Sequence, residues 1–182
     1  MKRSGLMRWL MAGLFCLAAH AHAGQVTITH VGAELRGGML YVDADARLEL
    51  FEAQRAALQS GVPLTFAWDF VVEQERNWIW SRTLEDQSVL ARVEYHALSR
   101  LYRLVWLDSE ESATFATLDG VLDALSHLRA LPLAAAEFPK TGVYRGRTRL
   151  RLVLDTLPLP MRPRAYFSEH WQLSSEWYLW GF

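Results

Sequence analysis

Cysteine is almost absent from this chain of 182 residues: Cys16 is the only one, and it lies inside an apolar run near the N-terminus. Lysine is nearly as scarce beyond residue 23, where Lys140 stands alone among 15 arginines. The chain also lacks a Gly-x-Ser-x-Gly elbow, a His-Glu-x-x-His helix and a phosphate loop. There is no low-complexity tract, internal repeat, linker or second long apolar run. Once residues 1–23 are removed, these absences exclude disulfides and thiol catalysis, and they leave no recognised catalytic motif. The arginine skew suits forked contacts to carboxylate or phosphate, but the codon usage of a GC-rich genome accounts for it more simply.

The N-terminus carries an export pattern. Lys2, Arg3 and Arg8 precede a mostly apolar stretch from Trp9 to Ala19, and Ala21-His22-Ala23 places small residues around a cleavage site. This predicts a secretory signal peptide over residues 1–23 and a mature chain beginning near Gly24 in the periplasm or another extracytoplasmic compartment. His20 and His22 interrupt the apolar run well short of the roughly 20 residues that a membrane span needs, and Phe15 before Cys16 does not fit a lipoprotein signal. The expected mature chain has 182 − 23 = 159 residues and a net charge of 16 − 20 = −4. That length suits a single domain with a sizeable core over residues 24–182. The acidic balance argues against a general nucleic-acid binder, which ordinarily shows a basic face.

Periodicity indicates a strand-rich chain. Residues 25–47 read as a hairpin turning at Gly37-Gly38, and 48–60 as a short helix stopped by Gly61. From Pro63 onward, Val62, Leu64, Phe66, Trp68, Phe70 and Val72 share one face, which is expected to be buried. Thr65, Asp69 and Glu73 share the other, expected to be wet. Residues 77–82, 88–97 and 100–107 read as further strands. A helix capped by Thr117 is expected to run through Leu128 to Arg129 before Pro132. Residues 143–155 form a long strand, broken afterwards by Leu157-Pro158-Leu159-Pro160, and a final strand pair passes through Trp171 and Trp177.

The most distinctive pattern is Arg145, Arg147, Arg149 and Arg151, which the strand period places on one face opposite Tyr144, Leu150 and Leu152. Such a row suits an anionic ligand, a lipid headgroup or an acidic partner. It suits better a solvated outer face paired with Asp69, Glu73 and Glu75 on a neighbouring strand, since cross-strand charge pairs are routine. Trp78 and Trp80 offer stacking surfaces if exposed and core if buried. Arg92, Glu94 and His96 form a compact polar group that can ligate metal or move protons, or can be a surface charge cluster. Asp43 and Asp45 share one face but lack the further oxygens that calcium wants. His30, His127 and His170 are scattered. The terminal Trp177-Tyr178-Leu179-Trp180-Gly181-Phe182 is similar to the end of an outer-membrane barrel, but two helical segments and the arginine strand conflict with lipid-facing alternation.

Four ordered segments carry a resemblance: Ser60-Gly61-Val62-Pro63-Leu64, Tyr95-His96-x-Leu98-Ser99-Arg100-x-Tyr102, Leu154-Asp155-x-Leu157-Pro158-x-Pro160, and Trp171-x-Leu173-x-Ser175-x-Trp177. With them the chain resembles the bacterial family known as domain of unknown function 4390. The resemblance implies an exported proteobacterial protein, often encoded near a nitrogen-regulation-type sensor kinase, and supplies no catalytic residues.

The sequence therefore predicts a mainly β (α+β) fold of antiparallel, sandwich-like sheets with about eight or nine strands and two helices. The expected role is a non-enzymatic binding or accessory module for an envelope or inner-membrane protein, with no cofactor, no bound metal, no nucleic-acid partner and no integral membrane segment after cleavage. One alternative is a hydrolase or metal-dependent enzyme built on Glu94 and His96 with Asp43 or Asp45. Another is a carrier of lipid or another apolar ligand, which requires a cavity between the sheets.

Overall fold

In a computed structural model, residues 25–76, 80–133 and 143–182 are described, the side chains at 75, 76 and 80–82 excepted. The expected leader, Trp78 and Lys140 lie outside the described residues. The fold is mainly β, with nine strands in two antiparallel sheets among the described residues.

The chain opens with β1 (Gln25–Arg36) and β2 (Met39–Glu49), joined by Gly37 and Gly38 at φ of 60° and 87°. Arg36 pairs with Met39, so the turn has two central residues, both in the left-handed region that glycine adopts without a Cβ clash. The expected hairpin is therefore present. Along β2, Leu40, Val42, Ala44, Ala46 and Leu48 alternate inward, which keeps Leu48 and Glu49 in the strand rather than in the following helix. That helix, α1, is Glu52–Gln59. Phe51 N donates to Gln54 Oε1 at its start, while Gly61 N and Val62 N close its end on the carbonyls of Leu58 and Ala57. Gly61, at φ 87°, is the predicted stop.

β3 (Leu64–Arg76), β4 (Trp80–His96) and β5 (Leu101–Trp106) form a meander, continued by the unforeseen β6 (Ser112–Phe115). The segments expected as separate strands at 77–82 and 88–97 merge, because β4 pairs with β3 along its length and absorbs the intervening polar residues at a bulge opposite Val72 and Glu73. β8 (Tyr144–Leu152) lies against the other edge of β3, and β9 (Tyr178–Gly181) against β8. The six-stranded order is β6-β5-β4-β3-β8-β9; the three-stranded order is β1-β2-β7, where β7 is His127–Leu133.

β7 corrects the second helix. α2 runs only from Leu118 to Ser126, capped as expected by Thr117, whose hydroxyl accepts from Gly120 N at 3.1 Å. Leu128 fits the helical spacing from Leu125, yet an extended chain buries it equally well. His127 at φ −124°, ψ 100° makes that switch. Trp68 Nε1 donates to the Leu125 carbonyl at 3.1 Å, satisfying one of the carbonyls that a helix end leaves without an internal partner. A short α3 (Arg162–Phe167) follows the proline-rich break, and Trp171 sits in a single 3₁₀ turn rather than in a strand. The expected final strand pair is thus one strand, β9.

One contiguous apolar cluster draws on both sheets, α1, α2 and the C-terminal segment. Trp68, Phe66 and Phe70 are its largest fully buried side chains. β3 is buried on both faces: Thr65, Ala67, Asp69 and Val71 are at most 6% exposed, against the expectation of a wet face. Over that second face Arg149 and Arg151 reach across from β8 to Asp69.

Candidate binding face

β8 divides its residues by parity. Tyr144, Gly146, Thr148, Leu150 and Leu152 are buried, whereas Arg145 and Arg147 are exposed and Arg149 and Arg151 half-buried. Inside, the Trp180 ring lies directly on Gly146, where a Cβ would stand 2.1 Å from Trp180 Cε2. Trp180 Nε1 donates to the buried Thr148 hydroxyl at 2.7 Å, and Phe182 stacks on Tyr144 and Trp180. This aromatic packing holds β8 flat against the core and turns its arginines outward together.

Outside, register sets Arg145 opposite Glu73, Arg149 opposite Asp69 and Arg151 opposite Ala67. Asp69 is the focus. Arg149 donates to it from Nε at 3.2 Å and Nη2 at 2.8 Å, Arg151 from Nε at 2.7 Å, and Ser88 from its hydroxyl at 2.7 Å. Burial by itself raises the pKa of Asp69, but the hydrogen bonds from Arg151, Ser88 and Arg149 more than offset it and hold the carboxyl below its ordinary range. Arg147 reaches Glu73 at 3.7 Å. Trp177, half-buried, lies beside the same row, with the guanidiniums of Arg147 and Arg149 at 5.1 Å and 4.5 Å from its ring centroid, within cation–π range.

The four arginines thus form one ridge, and both readings of it are physically present. Asp69 and Glu73 neutralise part of the charge, as the cross-strand pairing reading expects. On the same face Asp86 stands across Val71 from Arg147, while Arg147 itself keeps 45% side-chain exposure. Glu75, the third expected partner, has no described side chain. Sequence periodicity found the arginines but missed Trp177, Ser88 and the burial of Asp69. The strand register that joins them was the signal that sequence alone lacked.

The other candidates are placed as follows. Trp78 lies outside the described residues, and Trp80 is located only by its backbone, opposite Arg76 at the start of β4. Arg92, Glu94 and His96 do stand together on β4, with Arg92 Nη1 at 3.9 Å and His96 Nε2 at 3.7 Å from Glu94 carboxylate oxygens. These are open surface contacts, and His96 is exposed. The Tyr95 to Tyr102 motif is the β4–β5 hairpin, in which the two tyrosine rings lie 4.8 Å apart and Arg100 takes φ 57°.

Asp43 and Asp45 are remote from Glu94 in topology, on β2 of the other sheet. Asp43 accepts from Ala130 N at 2.7 Å, and Asp45 forms an ion pair with Arg129 at 2.6 Å, so both secure β7 against β2. His127 stands nearby, 3.8 Å from Asp45 and 3.6 Å from Asp123. His170 meets Phe51 edge to face at 5.5 Å. Among the described residues no group of three His, Cys, Asp or Glu side chains is arranged to hold a metal ion. None of the described helices is long and apolar enough to cross a membrane.

Among the described residues, open grooves of about 350, 440 and 410 Å³ mark the surface. The first two follow the seams between the sheets, where β1 faces the C-terminal segment and where β7 faces the β5–β6 turn.

Comparison with protein families gives a match over residues 23–181 to the family described as Domain of unknown function (DUF4390). Neither a curated protein nor a solved structure matches.

Proposed function

Since the chain belongs to the DUF4390 family, whose description assigns no activity, we propose its role from its own surface: an exported, non-enzymatic binding or accessory module of the bacterial envelope, meeting a protein partner through the outer face of β8. The observation that carries this reading is the alignment of Arg145, Arg147, Arg149 and Arg151 on one sheet face beside Trp177. Guanidinium groups are suited to carboxylates by their fixed fork of donors, and an aromatic at the centre of such a patch is a common anchor.

The alternative enzyme site has weaker support. General acid–base groups work at hydrogen-bond separations of about 2.6–3.2 Å, and Glu94 and His96 are 3.7 Å apart on an exposed strand. The leader pattern of residues 1–23 supports export, and the periplasmic region of a membrane sensor kinase is the first partner to test.

Tagged mature chain should recover a defined protein from envelope extract. Arg145→Glu with Arg147→Glu should abolish that recovery, whereas Arg92→Glu on β4 should leave it intact. Recovery of nothing above background, or recovery indifferent to the β8 reversals, would overturn the proposal.

A further inference from the structure

The groove of about 350 Å³ has an unusual construction: its walls are consecutive residues, Gln25 to Ile28 of β1 on one side and Gln172 to Tyr178 on the other. A hollow on a sheet face is lined by alternate residues, because side chains alternate across a strand. Consecutive residues on both walls mean that two backbone edges face the same space. β1 ends the three-stranded sheet and β9 ends the six-stranded one, so both edges lack a strand partner among the described residues.

The C-terminal wall shows where its peptide groups point. The Leu173 carbonyl accepts from Leu152 N at 2.8 Å, and Ser175 N donates to the Leu150 carbonyl at 2.9 Å. Both bonds turn toward β8, and in an antiparallel pairing the peptide groups of the intervening Ser174 turn to the opposite edge. That edge is the groove. Val26, Ile28 and Leu173 are buried while Gln25 and Thr27 are exposed, so a strand lying here would turn every second side chain onto apolar surface.

The other free edges are less receptive. β7 carries Pro132 and a bulge around Ala130, features that blunt an edge against pairing, and β6 has only four residues. Charge then narrows the occupant. Trp177 in the groove wall is flanked by the Arg147 and Arg149 guanidiniums. Arg147 keeps 45% side-chain exposure, and Glu176 is the exposed carboxylate among the groove's lining residues.

We propose that the groove between β1 and Gln172–Tyr178 takes an extended acidic segment of a partner protein as an added β-strand. Its apolar residues turn inward, its carboxylates turn out toward the arginine rim, and its main chain bonds the open edges, as in other strand-addition complexes. This rests on the binding-module reading above and specifies how the partner is held.

The test uses isotope-labelled mature chain and an acetylated heptapeptide alternating valine and glutamate. Amide shifts should saturate at residues 25–28 and 172–178, and exchange of the Ser174 amide should slow. A valine–lysine peptide should bind at least about tenfold more weakly, a fold-change equal to about 1.4 kcal/mol, and the valine–glutamate peptide N-methylated at alternate residues should give no response. Shifts confined to other surfaces, an equal response to the lysine or N-methylated peptide, or no response at all would overturn strand addition. Envelope recovery that depends on Arg145 and Arg147 in the absence of any groove response would refute this inference alone and leave the binding reading standing.

Discussion

Replacing Asp69 with asparagine removes the one carboxylate that Arg149 and Arg151 share while keeping the shape of the side chain. Breaking a fully buried ion pair costs about 3–5 kcal/mol. Here the Asp69 side chain is only 7% exposed, but its partners keep 31% and 34% exposure, so water recovers part of the lost interaction. We therefore expect Asp69→Asn to cost about 2–3 kcal/mol, discounted from that buried limit. At roughly 2–4 °C per kcal/mol for a chain of this size, Tm should fall by about 4–12 °C. Urea unfolding followed by near-ultraviolet circular dichroism at neutral pH measures the free-energy cost, and a thermal melt measures the fall in Tm.

Acidification gives a second, independent sign. The Asp69 carboxyl is held below its ordinary range, so its contribution is complete above the unfolded aspartate value of about 3.9 and is lost as the pH falls through the folded value. The gap between wild type and variant should be constant from pH 6 to 8 and should shrink below about pH 4. A variant within 0.5 kcal/mol of wild type at neutral pH, the range of ordinary surface changes, or a gap that widens in acid, would refute the reasoning.

Three further outcomes concern the Trp180 packing, the α2 cap and the expected leader. Gly146→Ala drives a methyl into the Trp180 ring and should cost about 1–3 kcal/mol by overpacking, with the Trp180 indole resonance displaced; an unchanged spectrum would show that the ring does not lie on Gly146. Thr117→Ala removes the cap on Gly120 N and should cost about 1 kcal/mol in urea unfolding, whereas Thr117→Ser should restore most of it. Terminal sequencing of the chain recovered from a periplasmic extract should begin at Gly24, and an intact Met1 in that fraction would contradict cleavage.

Much of the fold was legible because local signals agreed with tertiary demands. The β1–β2 turn needed two residues with positive φ and had Gly37-Gly38. The α1 stop needed a left-handed residue and had Gly61. The α2 start needed a hydroxyl acceptor and had Thr117. The errors arose where one pattern served two structures. Leu128 satisfies a helix and a strand alike, so only pairing with β2 distinguishes β7 from a longer α2. Thr65 and Asp69 look solvent-facing by polarity, yet Asp69 is satisfied by arginines 80 and 82 positions away, a contact that no local period reports. The arginine row was visible by parity, and its partners were not. Trp177 acquires its place beside Arg147 and Arg149 only because β9 pairs with β8.

The claim that matters most is that the outer face of β8 is where this protein meets its partner. Site-specific photo-crosslinking in intact cells tests it directly, with the reactive side chain placed in turn at position 147 and at position 94 on β4. A discrete adduct is expected from position 147, reduced by Arg145→Glu, and none from position 94. Adducts from position 94 alone, or from neither position, would contradict it.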